Sequence, residues 1–260
     1  MEFNETILIG LTRGITGVLP VSDTGHLRVL ERAYEGHFWE VQEFASYLGF
    51  GILLALIVFV WRKLPGYFNR KMTSNVLWTA APALLAAFLF GNKLAEMPFF
   101  RELIVVALIM AAGGVLTMFM YRLPRMRQSK KASRLDNRRA FLIGLAQIFA
   151  RVPGVSGINA SLLAGWMVGL DKLEALAYAI ISAVPITLGF CIYEIIFGFR
   201  TEFAAQNVPS IVVGNLIAGV AAYLALTWLY NHVKKTDSLK AFGWYRIVFA
   251  MILMIFGLLR

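Results

Sequence analysis

Charge and cysteine are what this chain has least of. Asp, Glu, Lys and Arg make up 15% of its 260 residues, against about 25% in an ordinary soluble domain, too few to clothe a water-facing surface. Cys191 is the single cysteine, which excludes an intramolecular disulfide and a cysteine-based metal cluster. Acidic residues are also short, 15 against 25 basic, for a net charge of +10. A uniformly basic surface would suit nucleic acid. Here the cations stand in blocks between apolar runs, which is how membrane topology is written, so nucleic acid is excluded as a partner. The first six residues hold Glu2 and Glu5 and no base, and Arg13 and Pro20 interrupt the apolar stretch that follows, so no cleaved signal peptide is expected.

What is abundant is hydrophobicity, at 59% of residues and a mean hydropathy of +0.68. Crossing about 30 Å of hydrocarbon takes roughly 17–25 apolar residues. Runs at 44–61, 103–120, 173–197 and 211–230 qualify, and the shorter 76–90 and 244–259 bring the count to six. Three connections are basic: Arg62, Lys63, Arg70 and Lys71 in one, eight bases against Asp136 in 122–139, and Lys234, Lys235 and Lys240 against Asp237. The connections 91–102 and 198–210 are neutral. The positive-inside rule puts the basic connections in the cytoplasm and the neutral ones outside.

Two further apolar stretches, 7–30 and 141–170, would break this alternation as full spans, and Pro, Gly and Ser interrupt each near its middle. Broken backbone survives at membrane depth only where protein or a water-filled cavity satisfies it, so both are expected to be re-entrant helix pairs. They also repeat. Leu8-Ile9-Gly10-Leu11 recurs as Leu142-Ile143-Gly144-Leu145, and Ser22 is matched by Ser156, each at an offset of 134 residues. The expected fold is an all-α polytopic membrane protein of six transmembrane helices plus two re-entrant pairs. Residues 1–121 form the first repeat, 122–139 a basic cytoplasmic linker and 140–260 the second repeat. Three spans per half invert the halves, an architecture in which half-helix N-termini near the midplane face anionic groups.

The first break, Arg13 to His26, offers hydroxyls, an imidazole and free amides suited to phosphate oxygens. The second runs Arg151-Val152-Pro153-Gly154-Val155-Ser156-Gly157-Ile158-Asn159 and offers a guanidinium, a hydroxyl and an amide. Each residue has two readings. Ser22 and Ser156 cap the half-helices, bind an anion, or both. His26 is a functional imidazole or a ring satisfied by a carbonyl. Arg13 enters the site or snorkels to the interface, and Arg151 divides the same way. Asp23 is an ordinary first-turn acid, or a surviving metal ligand or general acid. Asn159 binds the anion or, like Gln147, Glu194 and Asn215, makes an interhelical hydrogen bond.

With these residues in view, the chain resembles the bacterial undecaprenyl diphosphate phosphatases of the bacitracin-resistance type. Their first motif, Glu-Gly-x-Thr-Glu-Phe-Leu-Pro-(Ile/Val)-Ser-Ser-Thr-Gly-His, is matched at Gly14, Thr16, Leu19, Pro20, Ser22, Thr24, Gly25 and His26. The second, Pro-Gly-x-Ser-Arg-Ser-Gly, is matched at Pro153, Gly154 and Ser156. Weaker similarity at Trp61-Arg62-Lys63-Leu64, Ala183-Val184-Pro185 and Tyr245-Arg246 carries the resemblance along the chain. The departures fall on the chemistry. Arg13 and Gly17 stand where the family has its motif glutamates, and Gly157 and Ile158 where it has an arginine and a serine. The resemblance associates those glutamates with metal-dependent diphosphate hydrolysis, and a divalent metal needs hard carboxylate ligands.

The expected function is therefore a non-hydrolytic relative that binds and translocates a polyprenyl phosphate or related anionic lipid through Arg13, Ser22, Thr24, His26, Arg151, Ser156 and Asn159. The alternatives are a working phosphatase, with His26 and Asp23 catalytic, and a non-transporting envelope-synthesis scaffold. No metal site or cofactor is expected. A divalent cation, magnesium or calcium, enters only under the phosphatase alternative. The expected partners are the anionic lipid and the bilayer, with self-association left open, and the expected location is the bacterial inner membrane.

Overall fold

A computed structural model of the chain describes residues 2–34, 38–67, 69–90, 97–122, 135–198, 201–236 and 238–258. All regular structure among them is helical: α1 (Phe3–Val18), α2 (Asp23–Ala33), α3 (Phe38–Tyr47), α4 (Gly49–Lys63), α5 (Arg70–Phe90), α6 (Pro98–Arg101) and α7 (Leu103–Arg122) in the first half. The second half holds α8 (Asn137–Ile148), α9 (Gly157–Met167), α10 (Lys172–Tyr193), α11 (Thr201–Thr236) and α12 (Lys240–Leu258). Six helical stretches are long and apolar enough to cross a membrane: Val41–Lys63, Arg70–Phe90, Leu103–Arg122, Lys172–Phe197, Glu202–Thr236 and Lys240–Leu258. They fall on the six runs expected from the sequence. The chain is a multi-pass, all-α membrane protein.

Local chemistry starts these helices where the charges and hydroxyls stand. Glu2 and Glu5 form a capping box at α1. The side chains of Asp136, Ser156 and Asp171 accept from the third amide of α8, α9 and α10, satisfying donors that a helix start leaves orphaned. Leucines 54, 77, 85, 216 and 224 are 60–66% exposed, an apolar outer surface that suits lipid and not water.

Packing joins the two halves. The best-packed pairs are α7 with α12, α1 with α11 and α8 with α5. The last two are exchanged if α1 corresponds to α8 and α5 to α11. Close approach at the second uses Gly144, where a Cβ would strike the Thr79 carbonyl of α5. Side chains reinforce the contacts: Asn215 of α11 accepts from Gly51 N at 2.7 Å and donates to Tyr47 O at 3.0 Å. Asn159 donates to Thr117 of α7 at 3.2 Å.

Two expectations shift. The connection expected at 198–210 is largely helix, because α11 begins at Thr201 and continues through a kink at Asn207 (φ −115°, ψ 15°). Pro209 supplies no amide and crowds the preceding turn, and the Asn207 side chain donates to the Phe203 carbonyl at 3.0 Å. The basic linker 122–139 lies mostly outside the described residues, and its last part, Asn137–Arg139, already belongs to α8.

Candidate functional site

Proline makes both breaks. A residue before proline is pushed out of the helical region, and Leu19 (φ −90°, ψ 155°) and Val152 (φ −79°, ψ 122°) are extended accordingly. A left-handed residue then turns the chain: Ser22 at φ 80° in the first break and Gly154 at φ 93° in the second. Glycine takes such a φ freely, whereas for serine it costs on the order of 1–3 kcal/mol. Strain held at a motif serine marks the first break as a site the surrounding structure maintains.

The breaks touch. Ser156 Oγ, which caps α9, donates to Leu19 O at 3.2 Å, and Gly154 N donates to Thr24 Oγ1 at 2.9 Å. Beside this crossing lies a cavity of about 390 Å³ lined by Arg13, Asp23 and Thr24 from the first break and by Gln147, Arg151 and Gly157 from the second. Arg28, Glu43, Arg101 and Glu194 also reach its wall.

Arg13 forms an ion pair with Asp23 across the first break, each side chain about a quarter exposed. It also donates through Nε to Ala45 O at 3.3 Å. Glu194 and Arg151 lie within electrostatic reach, and the Arg151 guanidinium sits 4.7 Å from the Phe190 ring centre. The resemblance puts a carboxylate at the position of Arg13. Here the carboxylate stands ten residues on, at Asp23, and Arg13 holds it.

His26 is turned inward. Nδ1 lies 2.7 Å from Ser22 O and Nε2 2.6 Å from the Tyr245 hydroxyl, and Phe249 stacks on the ring at 4.0 Å. A carbonyl only accepts, so Nδ1 carries the proton, and with the ring neutral the tautomer so assigned accepts from Tyr245 through Nε2. Ser22 is fully buried, and its hydroxyl lies 3.1 Å from Thr24 Oγ1. Ser22 Oγ makes no other hydrogen bond among the described residues, so the donor in this pair is assigned to Ser22. Thr24 thus accepts twice, from Ser22 and from Gly154, and its own O–H is left for the cavity.

Of the residues singled out by the sequence, Arg13, Asp23, Thr24 and Arg151 line the cavity, while Ser22, His26, Ser156 and Asn159 lie behind it with their hydrogen bonds made inside the protein. Sequence reasoning passes over Arg28, Glu43 and Arg101, because a charge at the edge of an apolar run is ordinary. No three His, Cys, Asp or Glu side chains converge as a metal cage among the described residues. Asp23 is ion-paired with Arg13, and the other carboxylates on the wall, Glu43 and Glu194, do not join it in such a cage, so this arrangement does not fit a carboxylate-held divalent cation.

A family model described as bacitracin resistance protein BacA matches residues 6–252, both breaks included. The chain belongs to that family. Among curated relatives it is 32% identical to undecaprenyl-diphosphatase 1 of Burkholderia thailandensis, over 97% of this chain and 95% of the relative. It is 29% identical to the undecaprenyl-diphosphatase of Burkholderia mallei and to undecaprenyl-diphosphatase 2 of Burkholderia pseudomallei, at the same coverage.

These likenesses overturn the expectation of a non-hydrolytic lipid translocator. That expectation rested on the absence of both motif glutamates and of the second-motif arginine. Relatives that align through both breaks, from end to end, carry the name of a hydrolase. The cavity wall still carries a carboxylate at Asp23, paired with Arg13.

Proposed function

We propose that this protein is a polyprenyl diphosphate phosphatase, releasing inorganic phosphate and leaving the lipid monophosphate, with undecaprenyl diphosphate as its substrate. The observation that carries the reading is the end-to-end likeness to proteins named undecaprenyl-diphosphatase, running through the two breaks that line the cavity. The inverted repeat, with both broken helix pairs re-entrant, belongs to the same proposal. The exchange-symmetric packing of α1 on α11 and α8 on α5 supports it. The location is the bacterial inner membrane, with the basic connections cytoplasmic.

In this mechanism the terminal phosphate enters between Arg13 and Arg151. Arginine meets phosphate oxygens with two parallel, charge-assisted bonds, so the phosphate competes with Asp23 for Arg13. The Asp23 carboxylate, released, accepts a proton from water as the water oxygen bonds to the terminal phosphorus. The bond from that phosphorus to the bridging oxygen breaks, and its electron pair leaves on the lipid monophosphate. Thr24 donates its O–H to a phosphate oxygen. Both ring nitrogens of His26 are engaged, so His26 holds Ser22, and through it Thr24, in place. The guanidinium charge takes the part a divalent cation would otherwise play, and no step needs a metal.

Phosphate release from a polyprenyl diphosphate by the purified protein, with chelator in excess, is the direct test. Turnover that vanishes in Asp23→Asn supports the reading. Wild-type protein that binds the lipid diphosphate without releasing phosphate, with or without magnesium, would overturn it.

A further inference from the structure

Tyr245 and Arg246 are neighbours on α12, far in sequence from either break, yet each is bonded to one of them. The Tyr245 hydroxyl reaches His26 Nε2 of the first pair at 2.6 Å, and Arg246 Nη2 donates to the carbonyl of Gly154 in the second at 3.0 Å. Between these points the hydrogen bonds are continuous. His26 bonds Ser22 O at 2.7 Å, Ser22 Oγ bonds Thr24 Oγ1 at 3.1 Å, and Gly154 N donates to Thr24 at 2.9 Å. The chain from Tyr245 through His26, Ser22, Thr24 and Gly154 to Arg246 closes a ring on one helix.

Arg246 is an expensive residue to keep there. It is 1% exposed, and its other anchor is a backbone carbonyl, Met110 O at 3.2 Å from Nε. Nη1 is buried without a hydrogen-bond partner, and neither ion pair among the described residues involves it. Its guanidinium fits only because Gly113 of α7 has no Cβ; one added there would collide with Nη2. An ionisable group within a membrane protein is retained for function more often than for stability, and an uncompensated buried charge is a net cost. Arg246 does not line the cavity, so it does not hold substrate in this geometry. What it does touch is the left-handed Gly154, whose amide fixes the Thr24 hydroxyl on the cavity wall.

We propose that Tyr245 and Arg246 are positioning residues that clamp the two breaks to each other, so that Thr24 presents its O–H to the substrate phosphate. Neither residue acts on the substrate; both act through Thr24. The kinetic side of this inference rests on the phosphatase reading, and the structural side does not.

The test compares Tyr245→Phe, Arg246→Met and Arg246→Lys with Thr24→Val, alone and combined, in protein reconstituted in lipid nanodiscs. A misplacement of about 1 Å in a reacting geometry costs on the order of 10²-fold, so Arg246→Met should lower kcat by about that factor with KM changed far less. Arg246→Lys should recover part of it. Adding Arg246→Met or Tyr245→Phe to Thr24→Val should cost nothing further, since residues acting as a unit are not additive. Losses that multiply in the double variants would overturn the clamp. Hydrogen exchange supplies the readout independent of activity. Arg246→Met should speed exchange at 152–156 and Tyr245→Phe at 21–26, with α12 itself unchanged. Folded variants whose breaks exchange as in the wild type would sink the proposal. A wild type that releases no phosphate yet shows these exchange changes would remove the phosphatase reading and leave the clamp standing.

Discussion

Arg13 and Asp23 are ion-paired across the first break, on the wall of the cavity that the two breaks line. Under the proposed mechanism the substrate phosphate competes with Asp23 for Arg13. Asp23→Asn removes the proton acceptor and should lower phosphate release by about 10²–10⁴-fold, the usual worth of one positioned acid–base group. Arg13→Lys keeps the charge without the paired bonds and should raise KM more than it lowers kcat. Asp23→Asn with undiminished turnover in a phosphate-release assay would remove Asp23 from the mechanism.

Metal dependence is a second measurable consequence. With guanidinium groups in the part of a cation, phosphate release should survive excess chelator and rise less than about twofold on adding magnesium. Changing Arg13 and Gly17 together to Glu sets two more carboxylates beside Asp23, because Gly17 also lines the cavity. That variant should acquire a requirement for magnesium, as hard oxygen ligands then converge. Wild-type turnover abolished by chelator and restored by magnesium would refute the metal-free scheme.

Helix packing makes a stability prediction. A methyl at Gly144 meets the Thr79 carbonyl of α5, whereas one at Gly66 meets nothing within 4 Å. Gly144→Ala should therefore cost about 1–3 kcal/mol, the range for overpacking a tight contact, and Gly66→Ala should be close to neutral. Thermal unfolding in detergent, followed by circular dichroism, compares the two. Equal midpoints for both variants would mean that α8 and α5 are not in close contact.

Sidedness can be read with single cysteines, since the one native thiol, Cys191, is buried. Under the inverted arrangement, Lys235→Cys should react with an impermeant maleimide only after the membrane is opened from the cytoplasmic side. Glu202→Cys, at the other end of α11, should react in intact cells. Labelling of Lys235→Cys from outside would reverse the orientation drawn from the basic connections.

The sequence by itself determined the elements. Six spans were legible because their signal is local: a run of apolar residues as long as the hydrocarbon is thick, between blocks of basic charge. The breaks were legible for the same reason, because a proline acts on the residue just before it. The motif around Pro20 and His26 carried the family. Where a proline acts inside an otherwise helical stretch the local signal misled, and the kink at Asn207 stood as a loop.

Only the tertiary structure decided the site, because its bonds join residues that sequence distance separates. Asp23 reads as an ordinary first-turn acid until the chain reverses at Ser22 and brings it to Arg13. Nothing near His26 in the sequence points to Tyr245, 219 residues away, whose hydroxyl meets its second nitrogen. Arg246 carries no sequence signal for its contact with Gly154, 92 residues before it. Burial and hydrogen-bond satisfaction are properties of the packed whole. A residue's type lists what it can donate or accept, and the fold alone chooses the partner.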